Sequence, residues 1–453
     1  MNPKVFREYD IRGVADRDLS DTFARDLGRA VGTHLGRAGA QRMAVGRDCR
    51  LTSPRLHAAL CDGILSTGMH ILDVGVVPTP LLYFAPFHFE LEGAIQITGS
   101  HNPPEDNGFK IVRGKTTIYG AEIQELRRLI EARDFATGKG TREEQDVIRP
   151  YIEHAKRCLE LGTRRPKVVV DAGNGVGGIV GVPLYREIGF EVVPLHCEPD
   201  GRFPNHHPDP TVEDNVADLK QSLVSSRAEI GIAYDGDADR LGVVDEKGRI
   251  VWGDQLMILF ARAILAEKPG ATFVSEVKCS QALYDEIARA GGNAIMWKVG
   301  HSLIKTKMKE VGAMLAGEMS GHIFFSHRYL GYDDAIYAGA RLLELCSREQ
   351  RTFSELVDSL PKMVNTPEIR VDMPDDIKFE VVRRATERFR ARFPVVDVDG
   401  VRLKIDQSWG LLRASNTQPA LVLRFEAPSQ ERLAEIRKLV EDELDAIRRE
   451  LGA

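Results

Sequence analysis

Lys167-Val168-Val169-Val170-Asp171-Ala172-Gly173-Asn174-Gly175 is the stretch that decides the fold class of this 453-residue chain. A short β-branched run ends in a loop of Asp, Gly and Asn, and an amphipathic helical stretch follows, which is the rhythm of an α/β sheet. The same rhythm recurs in Met43-Ala-Val-Gly-Arg-Asp48, Gly93-Ala-Ile-Gln-Ile-Thr-Gly-Ser100 and Phe273-Val-Ser-Glu-Val-Lys278. In such sheets the loop after the strand is where ligands bind.

Single cores stop growing at roughly 250–300 residues, so several domains are expected. Polar, charge-dense breaks at Gly138–Gln145, Asp245–Gly248 and Leu360–Met363 divide the chain into units of 1–145, 146–247, 248–361 and 362–453. The first three share a rhythm but no residue-level repeat of fixed period. The last differs: strands at Glu368–Asp372, Val401–Ile405 and Ala420–Phe425 precede one long helix, which reads as α+β. Ser429 caps that helix, and Leu433, Ile436, Val440, Leu444, Ile447 and Leu451 give it one apolar face.

With 43% hydrophobic and 28% charged residues the composition is globular, and a net charge of -6 lacks the basic excess of a nucleic-acid binder. Met1–Glu8 contains no apolar stretch for a signal peptide, and no run of about eighteen apolar residues suggests a membrane span. A cytoplasmic location is therefore expected. Six dispersed cysteines with no C-x-x-C pair are expected as reduced thiols.

Four segments carry chemistry. Thr98-Gly-Ser-His-Asn-Pro-Pro-Glu-Asp-Asn-Gly-Phe-Lys110 places Ser100 on a turn expected to be exposed, with His101 and Lys110 near in sequence as proton carriers or charge partners. By itself this loop reads more readily as a plain surface turn, since Gly, Asn and Pro are what any turn would use. Ala233-Tyr-Asp-Gly-Asp-Ala-Asp-Arg240 sets three carboxylates two residues apart, on one side if the segment is extended. Three gathered negative charges call for a positive one, and oxygen-only ligands suit a hard cation such as Mg²⁺. An EF-hand loop is set aside because its required glycine is Arg240 here and the flanks read as strands. Gly317-Glu-Met-Ser-Gly-His322 offers a carboxylate and polar groups suited to sugar hydroxyls, and Arg413-Ala-Ser-Asn-Thr-Gln-Pro419 offers a guanidinium, hydroxyls and turn amides suited to phosphate. Alone, the first reads better as an ordinary turn with a surface glutamate, and a capped turn competes for the second.

Together and in this order the four segments resemble the α-D-phosphohexomutase family, within it the bacterial phosphomannomutase/phosphoglucomutase group, across nearly the whole chain. The resemblance implies three related α/β domains with mixed sheets and a C-terminal α+β domain, heart-shaped around a central cleft. It implies a phosphoserine at Ser100 and Mg²⁺ held by Ser100, Asp235, Asp237 and Asp239. Arg240 is implied beside the metal, Glu318 and Ser320 on sugar hydroxyls, and Arg413, Ser415, Asn416 and Thr417 on the non-reacting phosphate. Tyr9, Arg12, His101, Lys110, Lys278, His301 and His322 match further cleft positions.

The implied reaction is reversible exchange of hexose 1-phosphate and hexose 6-phosphate through a hexose 1,6-bisphosphate, which also serves as activator. The bisphosphate turns end for end, and contacts to O3 and O4 survive that rotation best, which places Glu318 there. Lys110 and His322 are the candidate general bases. Met319 and Ser415-Asn416-Thr417 depart from phosphoglucosamine mutases, which usually carry a glutamine and a serine-glycine-threonine loop. The partner implied is a small phosphosugar, with no nucleic acid or membrane, and the chain is expected as a monomer or weak homodimer. A non-catalytic sugar-phosphate sensor and a metal-dependent phosphatase are the competing readings.

Overall fold

The computed structural model describes residues 2–416 and 418–452. The chain forms two compact units, one of Met1–Leu256 with Ser320–Asp358 and one of Met257–Met319 with Ser359–Ala453.

The first unit contains two mixed sheets. One runs in the order Ile11–Val14, Asp106–Arg113, Gly93–Ile97, Arg42–Arg47, His70–Val76, Arg142–Glu144. Its first two pairings are antiparallel and the rest parallel. The other runs Ile250–Val251, Leu241–Asp245, Ile230–Tyr234, Val168–Asp171, Val192–Leu195, antiparallel at the first two pairings and parallel at the last two. The valine run is the strand expected, and Val168, Val169 and Val170 are fully buried. Such burial removes each side chain from water, about 1.5–3 kcal/mol apiece. Gly93–Ile97 is likewise buried throughout, and so is Ile230–Tyr234, the strand that precedes the three aspartates.

In the second unit Asn293–Trp297, Thr272–Glu276 and Leu315–Gly317 pair in parallel. A separate antiparallel sheet is built around Ala420–Ala427, which pairs with Ser408–Ala414 on one side and with Val364–Asn365 and Ile369–Asp372 on the other. Val401–Ile405 continues the sheet beside Ser408–Ala414. The terminal helix Gln430–Leu451 starts at Ser429, whose side chain accepts from the Arg432 amide, and its apolar stripe is buried from Leu433 to Ile447. Two elements of this region were not expected: the helix Lys378–Arg390 and the strand Ser408–Ala414. The helix has a dense cover of arginines and glutamates that masks its short buried stripe of Val381, Ala385 and Phe389. In the strand, Ser408 and Gly410 interrupt the apolar run that would mark it in the sequence.

Among the described residues no cysteine is joined to another by a disulfide. Among the described residues no helix is long and apolar enough to cross a membrane.

Candidate active site

The turn after Gly93–Ile97 holds Ser100 in the left-handed region at φ 49°. A serine costs about 1 kcal/mol or more there, so the conformation persists only where the surroundings impose it. They do so through residues distant in sequence. The Ser100 amide donates to Thr98 Oγ1 (2.9 Å) and the Gly99 amide to Asp48 Oδ2 (3.1 Å). Arg50, 1% exposed, donates from Nη2 to the carbonyls of Ser100 (2.7 Å) and Asn102 (2.6 Å) and from Nη1 to those of Pro103 and Asp106. Gly99 is required: a Cβ there would lie 2.4 Å from Arg50 Nε. The turn is therefore not exposed, and Ser100 is 2% accessible. Polar turn residues suggested a solvated loop, but here their backbone groups are satisfied by a buried guanidinium.

The second loop joins Ile230–Tyr234 to Leu241–Asp245. Asp235, Asp237 and Asp239 are all fully buried and lie on a tight turn with Ala238 at φ 59°. That turn, and not the alternation of an extended strand, is what gathers the three carboxylates. Asp235 Oδ1 accepts from the amides of Asp239 and Arg240 (both 3.1 Å), while Oδ2 accepts from Ser100 Oγ (2.6 Å). Gly236 lets the two loops meet, since a Cβ at that position would be 2.5 Å from the Ser100 carbonyl oxygen.

One buried cation balances part of this charge. Lys110 Nζ donates to Asp237 Oδ2 (2.7 Å) and to Asp239 Oδ2, and Thr79 Oγ1 also donates to Asp237 Oδ2 (2.5 Å). Burial acts to strip the lysine's proton, but the aspartates outweigh it and hold its pKa well above the ordinary value. Burial raises Asp235 well above the usual carboxylate range, with Asp237 and Asp239 adding to it, while Lys110 keeps Asp237 below that range despite burial. Asp237 Oδ1 and Asp239 Oδ1 are buried without a hydrogen-bond partner. Ligand atoms of the three aspartates lie within 4.8 Å of one another. Oxygen donors with unfilled acceptor capacity and excess negative charge fit a hard divalent cation.

His101 Nδ1 lies 3.2 Å from Ser100 Oγ, and burial, with Arg240 and Arg12 nearby, pushes the imidazole well below its ordinary pKa. Arg12 donates to Asn102 Oδ1 (2.6 Å) and Asp10 (2.7 Å). Tyr9 is half-buried in the bend just before Ile11–Val14. Arg240 Nε donates to His322 Nε2 (3.0 Å), so the other ring nitrogen carries the proton and faces Asp333 (3.3 Å) and Asp239 (3.7 Å). Ser320 is half-buried. Thus Ser100, His101, Arg12, Lys110, the three aspartates, Arg240 and His322 form one cluster in the first unit.

In the second unit Glu318 Oε1 accepts from the Gly300 amide (2.7 Å), and His301 begins the helix that follows. The fully buried Glu276 accepts from the Met319 amide (3.0 Å). Lys278 Nζ lies 3.2 Å from Glu368 and 3.5 Å from Glu276. Burial foremost, with the charge of Glu318, raises Glu276 to about 7 against the pull of Lys278. Arg413, 5% exposed, pairs with Asp399 (3.1 Å). Ser415 Oγ accepts from the Gln418 amide (3.1 Å), and Asn416 is exposed. Thr417 lies outside the described residues.

Sequence reading missed Asp48, Arg50, Thr79, Glu276 and Asp333. Arg50 had no local signal, since its partners are carbonyl oxygens of a loop some fifty positions on. Met43–Asp48 is legible as a strand running into a loop, but nothing local marks Asp48 as the partner of the Gly99 amide.

Four family models match in order: phosphoglucomutase/phosphomannomutase α/β/α domain I over residues 3–137, domain II over 149–248, domain III over 252–364, and the C-terminal domain over 368–443. A phosphomannomutase/phosphoglucomutase of Pseudomonas aeruginosa is 44% identical over 98% of this chain and 96% of its own. A phosphoglucomutase of Neisseria gonorrhoeae is 44% identical over 94% and 93%. A crystal structure of a phosphoglucomutase/phosphomannomutase family protein from Burkholderia thailandensis superposes with a TM-score of 0.93 at 43% identity, covering 98% of each chain. The class defined is a four-domain α/β enzyme with a C-terminal α+β domain. The chain belongs to the phosphoglucomutase/phosphomannomutase family.

Proposed function

We propose that this enzyme interconverts the 1-phosphates and 6-phosphates of glucose and mannose, with Ser100 carrying the phosphoryl group. The observation that carries the reading is the 2.6 Å hydrogen bond from the Ser100 hydroxyl to Asp235, one of three fully buried carboxylates. Four units are proposed, at 1–145, 146–247, 248–361 and 362–453.

Phosphoserine 100 donates its phosphoryl group to the free hydroxyl of a hexose monophosphate. The resulting hexose 1,6-bisphosphate reorients, and its other phosphate is returned to Ser100. Mg²⁺ held by Asp235, Asp237, Asp239 and Ser100 would supply charge neutralisation at the phosphoryl oxygens. Alignment and charge are the main demands of such transfer, and Arg12, Lys110 and Arg240 meet them with fixed positive groups. Lys110 acts as a charge partner, since two carboxylates keep its ammonium protonated. Proton transfer is left to His322, once its Nε2 is released by Arg240, with His101 beside the serine. Glu318 and Ser320 take sugar hydroxyls, and Arg413, Ser415, Asn416 and Thr417 take the distal phosphate. Tyr9, Lys278 and His301 complete the substrate contacts. Hexose 1,6-bisphosphate is the activator that charges Ser100. The protein is proposed to be cytoplasmic, as a monomer or weak homodimer.

A coupled assay of mannose, glucose and glucosamine 1-phosphates with Mg²⁺ and trace bisphosphate tests this. Turnover of the first two is expected. Preference for glucosamine 1-phosphate, or release of inorganic phosphate outrunning 6-phosphate, would overturn it.

A further inference from the structure

Phe203-Pro-Asn-His-His-Pro-Asp-Pro210 entered no sequence-based assignment, yet it lies against the reactive turn. His207 Nε2 is 2.5 Å from the carbonyl oxygen of His101. A carbonyl only accepts, so this nitrogen carries hydrogen and donates to the backbone next to Ser100. His206 Nδ1 lies 3.0 Å from the His207 carbonyl oxygen, and Nε2 lies 3.0 and 3.2 Å from the two oxygens of Asp171. Both of its partners are acceptors. Both ring nitrogens must therefore be N–H, which makes His206 an imidazolium.

The pair is built in. Asp171, 1% exposed, ends the interior strand Val168–Asp171 and also accepts from the Gly173 amide (2.9 Å). A Cβ at Gly173 would lie 3.1 Å from both His206 Cε1 and Pro208 Cβ, and one at Gly236 would lie 3.5 Å from Pro208 Cγ. The His-His-Pro segment thus bears on both the Ser100 turn and the aspartate loop.

We infer that His206, held as an imidazolium by Asp171, positions the Ser100 turn through His207, so that phosphoryl transfer depends on the His206 proton. The inference rests on the mutase reading given above. His206 touches no reacting atom and is a positioning residue. The titratable groups around it are Asp171 on the strand, the His196 ring at 5.5 Å, Asp218 on the helix Ala217–Ser226, which bonds His196 (3.1 Å), and His207 beside it. Burial works against the charge, but the hydrogen bond and charge of Asp171 prevail and raise the pKa above the ordinary 6.5. The positioning is therefore complete below pH 6.5 and is lost as pH rises through that higher value.

Two measurements test this on the full chain. With ring-¹⁵N histidine, NMR of the wild type should show His206, assigned by its absence in His206→Gln, protonated on both nitrogens at pH 7. A neutral ring at pH 7 overturns the inference even if the variant folds poorly. In kinetics, His206→Gln should lower kcat by roughly tenfold with KM within about twofold, the loss of a charged hydrogen bond felt at the turn and not in substrate binding. It should also abolish an alkaline limb that Asp171→Asn moves to lower pH. An unchanged limb in both variants overturns the inference. Wild-type turnover with a neutral His206 contradicts this inference alone, whereas absence of wild-type turnover contradicts the mutase reading beneath it.

Discussion

Replacing Lys110 by Met tests the electrostatic design of the site. The ammonium is 4% exposed and sits between Asp237 (2.7 Å) and Asp239, with Asp235 adjoining. At an effective dielectric of about 20, one contact at that distance is worth roughly 6 kcal/mol gross, most of it offset by desolvation. Removing one partner of such a buried pair costs about 3–5 kcal/mol, because the carboxylates stay behind uncompensated. At about 2–4 °C per kcal/mol, the unfolding midpoint in EDTA should fall by roughly 6–20 °C. Lower pH should shrink the loss, since protonated carboxyls need no cation. Saturating Mg²⁺, worth about 2.7 kcal/mol at a hundredfold excess over Kd, should stabilise Lys110→Met more than the wild type, as it meets two further uncompensated oxygens. Calorimetry in EDTA and in Mg²⁺ gives both numbers. An EDTA midpoint within about 2 °C of wild type, or equal Mg²⁺ shifts, would refute the assignment of Lys110 as the cluster's internal counter-charge.

Ser100→Ala should abolish mutase turnover in the coupled assay and cost about 1–3 kcal/mol in denaturant unfolding, because Asp235 loses its buried donor. Arg50→Lys should lower kcat while leaving KM nearly unchanged, since an ammonium cannot reach four carbonyl oxygens at once, and steady-state kinetics decides it. Glu276 is raised to about 7 in the folded protein, chiefly by burial, so its contribution is complete below the unfolded 4.5 and declines as pH rises through about 7. Denaturant titrations at pH 5 and 8 should therefore find a smaller fall in stability for Glu276→Gln than for the wild type, and equal falls would remove that carboxyl as the source.

What the sequence made legible was local. The valine run, the strands around Asp235–Asp239 and the capped terminal helix are spelled out by neighbouring residues, and each formed where expected. Three aspartates at alternate positions pointed to gathered carboxylates suited to a cation, and the carboxylates do lie together, though on a tight turn and not by the alternation of an extended segment. What stayed hidden is long-range. The strained Ser100 turn is held by Arg50 and Asp48, and Asp237 by Thr79 some 158 positions away, and no residue near the serine or the aspartates hints at these partners. His206 and His207 escaped for the same reason. Their roles follow from which acceptors face each ring nitrogen, and only the fold supplies those. The helix Lys378–Arg390 was obscured by its charged faces, since a narrow apolar stripe is enough when one side alone packs.

The central claim is that Ser100 carries the phosphoryl group. Incubating the wild-type chain with Mg²⁺ and hexose 1,6-bisphosphate, then locating phosphate by peptide mass, addresses it most directly. One phosphoryl group on the peptide containing Ser100, discharged on adding hexose monophosphate, is the expected result. An unmodified Ser100 in a preparation that still interconverts hexose phosphates would contradict it.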